Sequence, residues 1–181
     1  MAQALLAIYL AKKGAKITAF DSNKEMLNIA KREARKNKVK IKFISKKATN
    51  FSFSGKFDII ISSSVMFHIA NLKKVIENIG NCSKAGTKIL IVNPYNTIYP
   101  STKKIPRKKY KAKLTVGYTT DVYYHSLAEY KSLFSENGFK LIKSNNMLLK
   151  KTHLNAKESF KLVSKKYLGK PIASLLVFKK Q

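Results

Sequence analysis

Acidic residues are scarce: nine Asp and Glu stand against 37 Lys and Arg in 181 residues, a formal net charge of +28. That imbalance excludes a neutral surface and suits contact with something anionic, whether nucleic acid, an anionic membrane face or a phosphorylated small molecule. It also admits a compositional origin. Only Arg32, Arg35 and Arg107 are arginines, which leaves 34 lysines, as an AT-rich coding sequence would give, whereas phosphate-reading proteins favour the arginine fork. Both origins stay open here. A single cysteine, Cys82, excludes an internal disulfide framework and a cysteine-cluster metal site, and fits a reducing compartment. The seven glycines are scattered singly, so no glycine-rich loop is visible. No apolar run reaches the ~20 residues that span a bilayer. The apolar start, Met1 to Ala11, lacks the basic lead and cleavage site of a signal peptide, so it reads as a core helix and the expected location is cytoplasmic. What is present is a globular composition. With 45% apolar and 10% aromatic residues the chain is no disordered segment, and its length suits one domain with a sizeable core.

Helix and strand patterns alternate through the first half. Residues 3–13 are apolar almost all round, as in a helix packed on a sheet, and Lys12-Lys13-Gly14 is a C-terminal stop. A short strand over 16–20 ends at Asp21. Ser22 or Asn23 then caps a helix with Met26, Leu27, Ala30 and Ala34 on its apolar stripe. Ile41 to Ile44 is a third element, a strand with one less buried face. After Ser54-Gly55, the run Phe57-Asp58-Ile59-Ile60-Ile61-Ser62 is expected to be a parallel strand buried on both faces. A helix over 70–80 and a tight turn at Lys84-Ala85-Gly86 lead into a strand over 88–92. Repeated strand–helix–strand units predict a doubly wound α/β sheet. Residues 94–120 hold three of the four prolines and the densest basic run, and read as a long excursion above the sheet. The chain then predicts a helix from His125 or Ser126 to Asn137-Gly138, a strand over 139–149, a helix around 156–167 and a final strand over 172–178. The last strands would add an antiparallel pair at the sheet edge.

From Ala7 to Val92 the sequence resembles the class I S-adenosylmethionine-dependent methyltransferases, especially the small-molecule type related to the ubiquinone and menaquinone enzymes. The matching stretches are Leu10 to Ala15, Phe20 to Leu27, Phe57 to Ile69 and Lys84 to Lys88, with Ser126 to Phe139 similar to the family's penultimate helix and strand. The resemblance implies a single Rossmann-like, mostly parallel domain: a cofactor-binding half over 1–93, a basic lid over 94–125 and C-terminal elements over 126–181. It implies S-adenosylmethionine as cofactor. Asp21 would accept both ribose hydroxyls through its paired oxygens, with helix capping as its alternative role. Ser22 lies beside it, and Met26 would pack on the adenine unless it only fills the helix stripe. Ala48, Thr49 and Asn50 would line the adenine edge, and Ser62 and Ser63 the methionine moiety. His68 falls near the site mouth, where it would contact the acceptor unless it is structural or solvent-facing, and a general base could be His68, His125, Tyr123 or Tyr124, with no choice among them. Tyr95, Tyr123, Tyr124 and His125 would face the acceptor from the lid.

The sequence departs from that family in two places. The family opens on a strand carrying a glycine-rich turn; here Met1 falls about where the turn should finish, and Gln3 and Ala4 replace its last residues. Without that strand the strand ending at Asp21 and the one starting at Phe57 would expose backbone edges. They could close on each other, or a partner segment could supply the strand. The leading expectation is a longer natural chain. Lys47 stands where the family commonly has an acid near the adenine amine, and lysine only donates. Methyl transfer needs alignment more than a catalytic triad or metal, and neither constellation is found. The other function class is a truncated, non-catalytic relative, or a basic protein that binds or methylates RNA. In that reading Lys103, Lys104, Arg107, Lys108 and Lys109, interleaved with tyrosines, would contact phosphates and bases.

Overall fold

The computed structural model describes residues 2–94, 98–99, 110–113, 119–148 and 171–181. The chain divides into two compact units, Met1–Phe51 and Ser52–Gln181. Tyr95, Lys103, Lys104, Arg107, Lys108, Lys109 and the helix expected around 156–167 lie outside the described residues.

The first unit runs α1 (Ala2–Lys12), β1 (Ile17–Asp21), α2 (Lys24–Lys36) and β2 (Ile41–Ser45). The stop after α1 is as the sequence predicts: Gly14 takes a φ of 89°, and the amides of Gly14 and Ala15 bond the carbonyls of Ala11 and Leu10. β1 and β2 pair in parallel, in register from Ile17↔Ile41 to Asp21↔Ser45. Of the two candidate caps for α2, Asn23 serves: its Oδ1 accepts from the amides of Glu25 and Met26. Leu27 and Ala34 are buried, whereas Met26 is 40% exposed and lies off the core stripe. The expectation of a fully packed first helix needs correction. Ile8 is buried, but Leu5, Leu6 and Tyr9 are exposed, because one helix side suffices to cover the two short strands available to it.

The second unit runs β3 (Phe57–Ser63), a 3-10 turn at Met66–His68, α3 (Leu72–Asn81), β4 (Ser83–Pro94), β5 (Ile98–Tyr99), β6 (Tyr110–Lys113), β7 (Thr119–Val122), β8 (His125–Ser126), α4 (Leu127–Glu136), β9 (Phe139–Leu148) and β10 (Pro171–Lys180). Its main sheet has the order β3-β4-β10-β9, with β3 and β4 parallel and β10 antiparallel to both of its neighbours. The expected C-terminal antiparallel pair is therefore present. β5 pairs β8 in parallel, and β6 pairs β7 antiparallel. The core gathers Ile76, Ile89, Ile91, Leu176 and Phe178, all essentially inaccessible. Phe134 of α4 stacks on Phe178 at 4.0 Å and meets Phe139 edge-on at 5.4 Å.

The tight turn at 84–87 sits inside β4 as a break in register, from Phe57↔Ser83 to Ile59↔Lys88. Gly86 supplies the φ of 84°. Thr87, fully buried, closes the turn: its hydroxyl donates to the Phe57 carbonyl at 2.6 Å and accepts from the Lys84 amide at 2.9 Å. The expectation that β3 is buried on both faces is overturned. Ile59 is 55% and Ile61 36% exposed, so the odd-numbered face of the strand is open. Among the described residues β1 pairs with β2, and β3 with β4.

Candidate functional site

In a parallel α/β sheet, the carboxyl ends of the strands are where helix N-termini, turns and polar side chains converge. In the first unit those ends carry Asp21 and Ser45, side by side in register. Asp21 turns the chain into α2: its Oδ1 accepts from the Asn23 amide at 2.9 Å, while its carbonyl accepts from the Lys46 amide at 3.1 Å. The carboxylate therefore keeps further acceptor capacity while it orders the turn. Ser22 is exposed. A tight turn follows β2, closed by the Asn50 amide on the Lys47 carbonyl at 2.9 Å, with Ala48 and Thr49 half-buried and Asn50 exposed. Phe51 anchors it through a ring contact of 4.9 Å with Phe20. Asp21, Ser22, Met26 and 48–50 are thus brought to one end of one unit.

In the second unit, Ser62 and Ser63 end β3 opposite Ile91 and Val92 of β4. The Ser62 Oγ is buried and has no hydrogen-bond partner among the described residues. Ser64 turns the chain sharply with a φ of 56°, held by its amide on the Val92 carbonyl at 2.7 Å. Such a conformation costs a non-glycine residue of order 1 kcal/mol and is kept where the surroundings enforce it. One strand over, Asn93 is fully buried at the end of β4. Its Nδ2 donates to the Tyr130 hydroxyl at 3.1 Å, and its Oδ1 has no partner among the described residues. Burial holds the Tyr130 phenol well above its usual range. Asn93 and Tyr130 were missed by the sequence reading. The only signal was a polar residue directly after the apolar run 88–92.

The four lid and mouth residues that can be placed lie together. The His68 Nδ1–H donates to the Asp121 carbonyl at 3.0 Å, the Tyr123 amide to the Phe67 carbonyl at 2.7 Å, and the His125 Nε2–H to the Ile69 carbonyl at 2.8 Å. These three bonds strap 121–125 onto the turn that follows β3, with Tyr124 in the same strap. His125 is buried, and its Nδ1 faces the Glu129 carboxylate at 3.2 Å. Both its ring nitrogens are thus engaged within the protein, which makes it a tie that carries the strap into α4. His68 is only partly buried. No group of three or more His, Cys, Asp or Glu suited to a metal occurs among the described residues, and none of the helices described is long and apolar enough to cross a membrane.

A family model described as a methyltransferase domain matches residues 2–166. The chain belongs to that family. Solved structures with the same fold include an assigned S-adenosylmethionine-dependent methyltransferase from Listeria monocytogenes, with a TM-score of 0.72 and 16% identity over 98% of this chain and 86% of that one. An S-adenosylmethionine-dependent methyltransferase from Methanosarcina mazei matches at 0.68 and 16% identity, over 96% and 85% of the two chains. Magnesium protoporphyrin IX methyltransferase from Synechocystis, solved with bound S-adenosylhomocysteine, matches at 0.62 and 15% identity, over 97% and 68%. No curated protein matches the sequence. For this methyltransferase-domain chain, the Rossmann-like α/β fold read from the sequence is therefore established. The expected site residues distribute as two sets on strand carboxyl ends, one in each unit.

Proposed function

We propose that this methyltransferase-domain protein binds S-adenosylmethionine at the carboxyl ends of its parallel strands and transfers its methyl group to a small-molecule acceptor. The observation that carries the reading is Asp21, a carboxylate at the end of β1 with one oxygen ordering the turn into α2. The residues suit the group. Ribose hydroxyls donate, and Asp21 is an acceptor; the buried, unpartnered Ser62 hydroxyl is suited to a polar atom of the amino-acid end. Met26, partly exposed beside Asp21, offers a soft apolar surface to a base. The turn at 48–50 offers its edge.

When bound, the cofactor supplies an electrophilic methyl on a sulfonium centre. The chain's own residues then have to orient, exclude water and manage one proton. Asp21 would hold the donor's ribose, and positioning of this kind supplies the larger part of the rate. His68 is the group we assign to the acceptor's proton. Its Nδ1 donates to the Asp121 carbonyl, which orients the ring on the strap. The acceptor class follows the resemblance to small-molecule methyltransferases, with Tyr123 and Tyr124 of the strap turned to its recognition. Calorimetric titration with S-adenosylmethionine tests the reading. A saturable heat is expected, and no heat at millimolar ligand contradicts it.

A further inference from the structure

The amino ends of β1 and β2 carry a second feature that the methyl-transfer reading does not use. A cleft of about 580 Å³ opens there, lined by Lys16, Lys31, Arg35, Lys40 and Lys42 above an apolar floor that includes Ile41 and Phe43. All five cations are exposed, and none makes an ion pair among the described residues. Lys16 and Lys40 directly precede Ile17 and Ile41, which are register partners, so the two stand side by side where the strands begin. Lys31 and Arg35 are four apart on α2 and therefore share a helix face. The only carboxylate on the adjoining turn of α2, Glu33, is already met by Arg32 and Lys36. Like charges crowded in this way cost stability unless an anion is shared among them. The first unit as a whole carries thirteen Lys and Arg against three Asp and Glu.

We propose that this cleft binds a segment of single-stranded RNA, with phosphates along Lys16, Lys31, Arg35 and Lys40 and a base against Ile41 and Phe43. Three features favour this ligand over a membrane or a lone phosphate. The cations line a shallow, open cleft, which suits an extended strand. They come from three elements instead of converging on one point. An aromatic ring lies among them, as stacking on a sequence-tolerant platform requires. The strands place the cleft at the opposite end from Asp21. Its lining starts beside Lys16 and Lys40 and reaches Phe43, the register partner of Ala19.

The test is fluorescence anisotropy of a labelled oligouridylate of about 12 nucleotides, a length that matches one such groove, titrated across a salt series. The variants are Lys31→Ala/Arg35→Ala/Lys40→Ala and, as a control removing equal charge, Lys131→Ala/Lys140→Ala/Lys143→Ala in the second unit. Loss of three phosphate contacts should lower the log–log salt slope by about 2 and weaken binding about 10- to 100-fold near 0.1 M salt. The control should change affinity about threefold at most. Equal losses in both variants would overturn the proposal, since charge would then act in bulk. So would capture by phosphatidylglycerol vesicles without saturable RNA binding, or binding of inorganic phosphate that displaces no RNA. If the triple variant loses its circular-dichroism signal, the single exposed Lys40→Gln change carries the test. A slope lower by about 0.7 supports the site, and an unchanged slope refutes it. Asp21→Asn should leave RNA binding intact, so failure of the methyl-donor reading is read separately.

Discussion

Replacing Thr87 by Val changes almost nothing in shape and removes one hydroxyl from a fully buried position. That hydroxyl makes two bonds at once, 2.6 Å to the Phe57 carbonyl and 2.9 Å from the Lys84 amide, and so holds the start of β3 against the turn inside β4. In the valine variant both backbone groups lose their partner, with water excluded from the carbonyl. Stranding buried polar groups in this way costs about 1–3 kcal/mol, while the retained branched side chain keeps the packing. The expected fall in Tm is about 2–4 °C per kcal/mol for a chain of this size. Urea unfolding followed by circular dichroism is the assay, with a lower midpoint at unchanged slope as the expected result. Thr87→Ser keeps the hydroxyl and loses one methyl, so it should lie between wild type and the valine variant. A valine variant as stable as wild type, or less damaged than the serine variant, would refute the claim that this hydroxyl fixes the β3–β4 register and with it the placement of Ser62 and Ser63.

Ser62→Ala should separate stability from binding. Deleting a buried hydroxyl that has no partner leaves the free protein as stable or slightly more stable, while weakening the donor about 3- to 10-fold, the range of one ordinary hydrogen bond. Parallel denaturation and calorimetry read both, and lost stability with unchanged affinity would contradict the assignment. For Tyr130, burial raises the phenol's pKa in the folded state. Above about pH 10 the unfolded chain then holds fewer protons than the native one, so stability falls as pH rises through the unfolded value, by up to about 1.4 kcal/mol per pH unit from this residue. Tyr130→Phe should start lower at neutral pH, because Asn93 loses its acceptor, and then decline less steeply in alkali. Equal alkaline slopes for the two proteins would count against the burial argument.

Most element boundaries were legible because local chemistry sets them. Gly14 and its lysines end α1, Asn23 starts α2, and Ser126 caps α4 by accepting from the Glu129 amide at 2.9 Å. What misled was the inference from residue type to burial. Ile59 and Ile61 are suited to a covered face, but periodicity records what a side chain tolerates, not whether a layer lies over it. Leu5 and Tyr9 repeat the lesson on α1. Within the site, Asp21 could be read from its place at a strand's end, since that place is fixed by sequence order. Asn93 and Tyr130 could not, because their meeting depends on α4 packing beneath the end of β4, a contact between residues 37 apart in sequence. The charge was also only half legible. The net +28 pointed to an anion, yet which lysines share a cleft depends on the parallel register of β1 and β2.

Asp21 is the residue proposed to anchor the nucleoside cofactor. Asp21→Asn tests it most directly, since the amide oxygen can still accept from the Asn23 amide and so preserve the turn, while the charge and one acceptor are lost. Calorimetric titration with S-adenosylhomocysteine should give saturable binding for the wild-type chain. The variant should bind at least about 10-fold more weakly, as expected when charge-assisted hydrogen bonds are lost. Equal affinity in the two proteins, or no binding by either at millimolar ligand, would contradict the account.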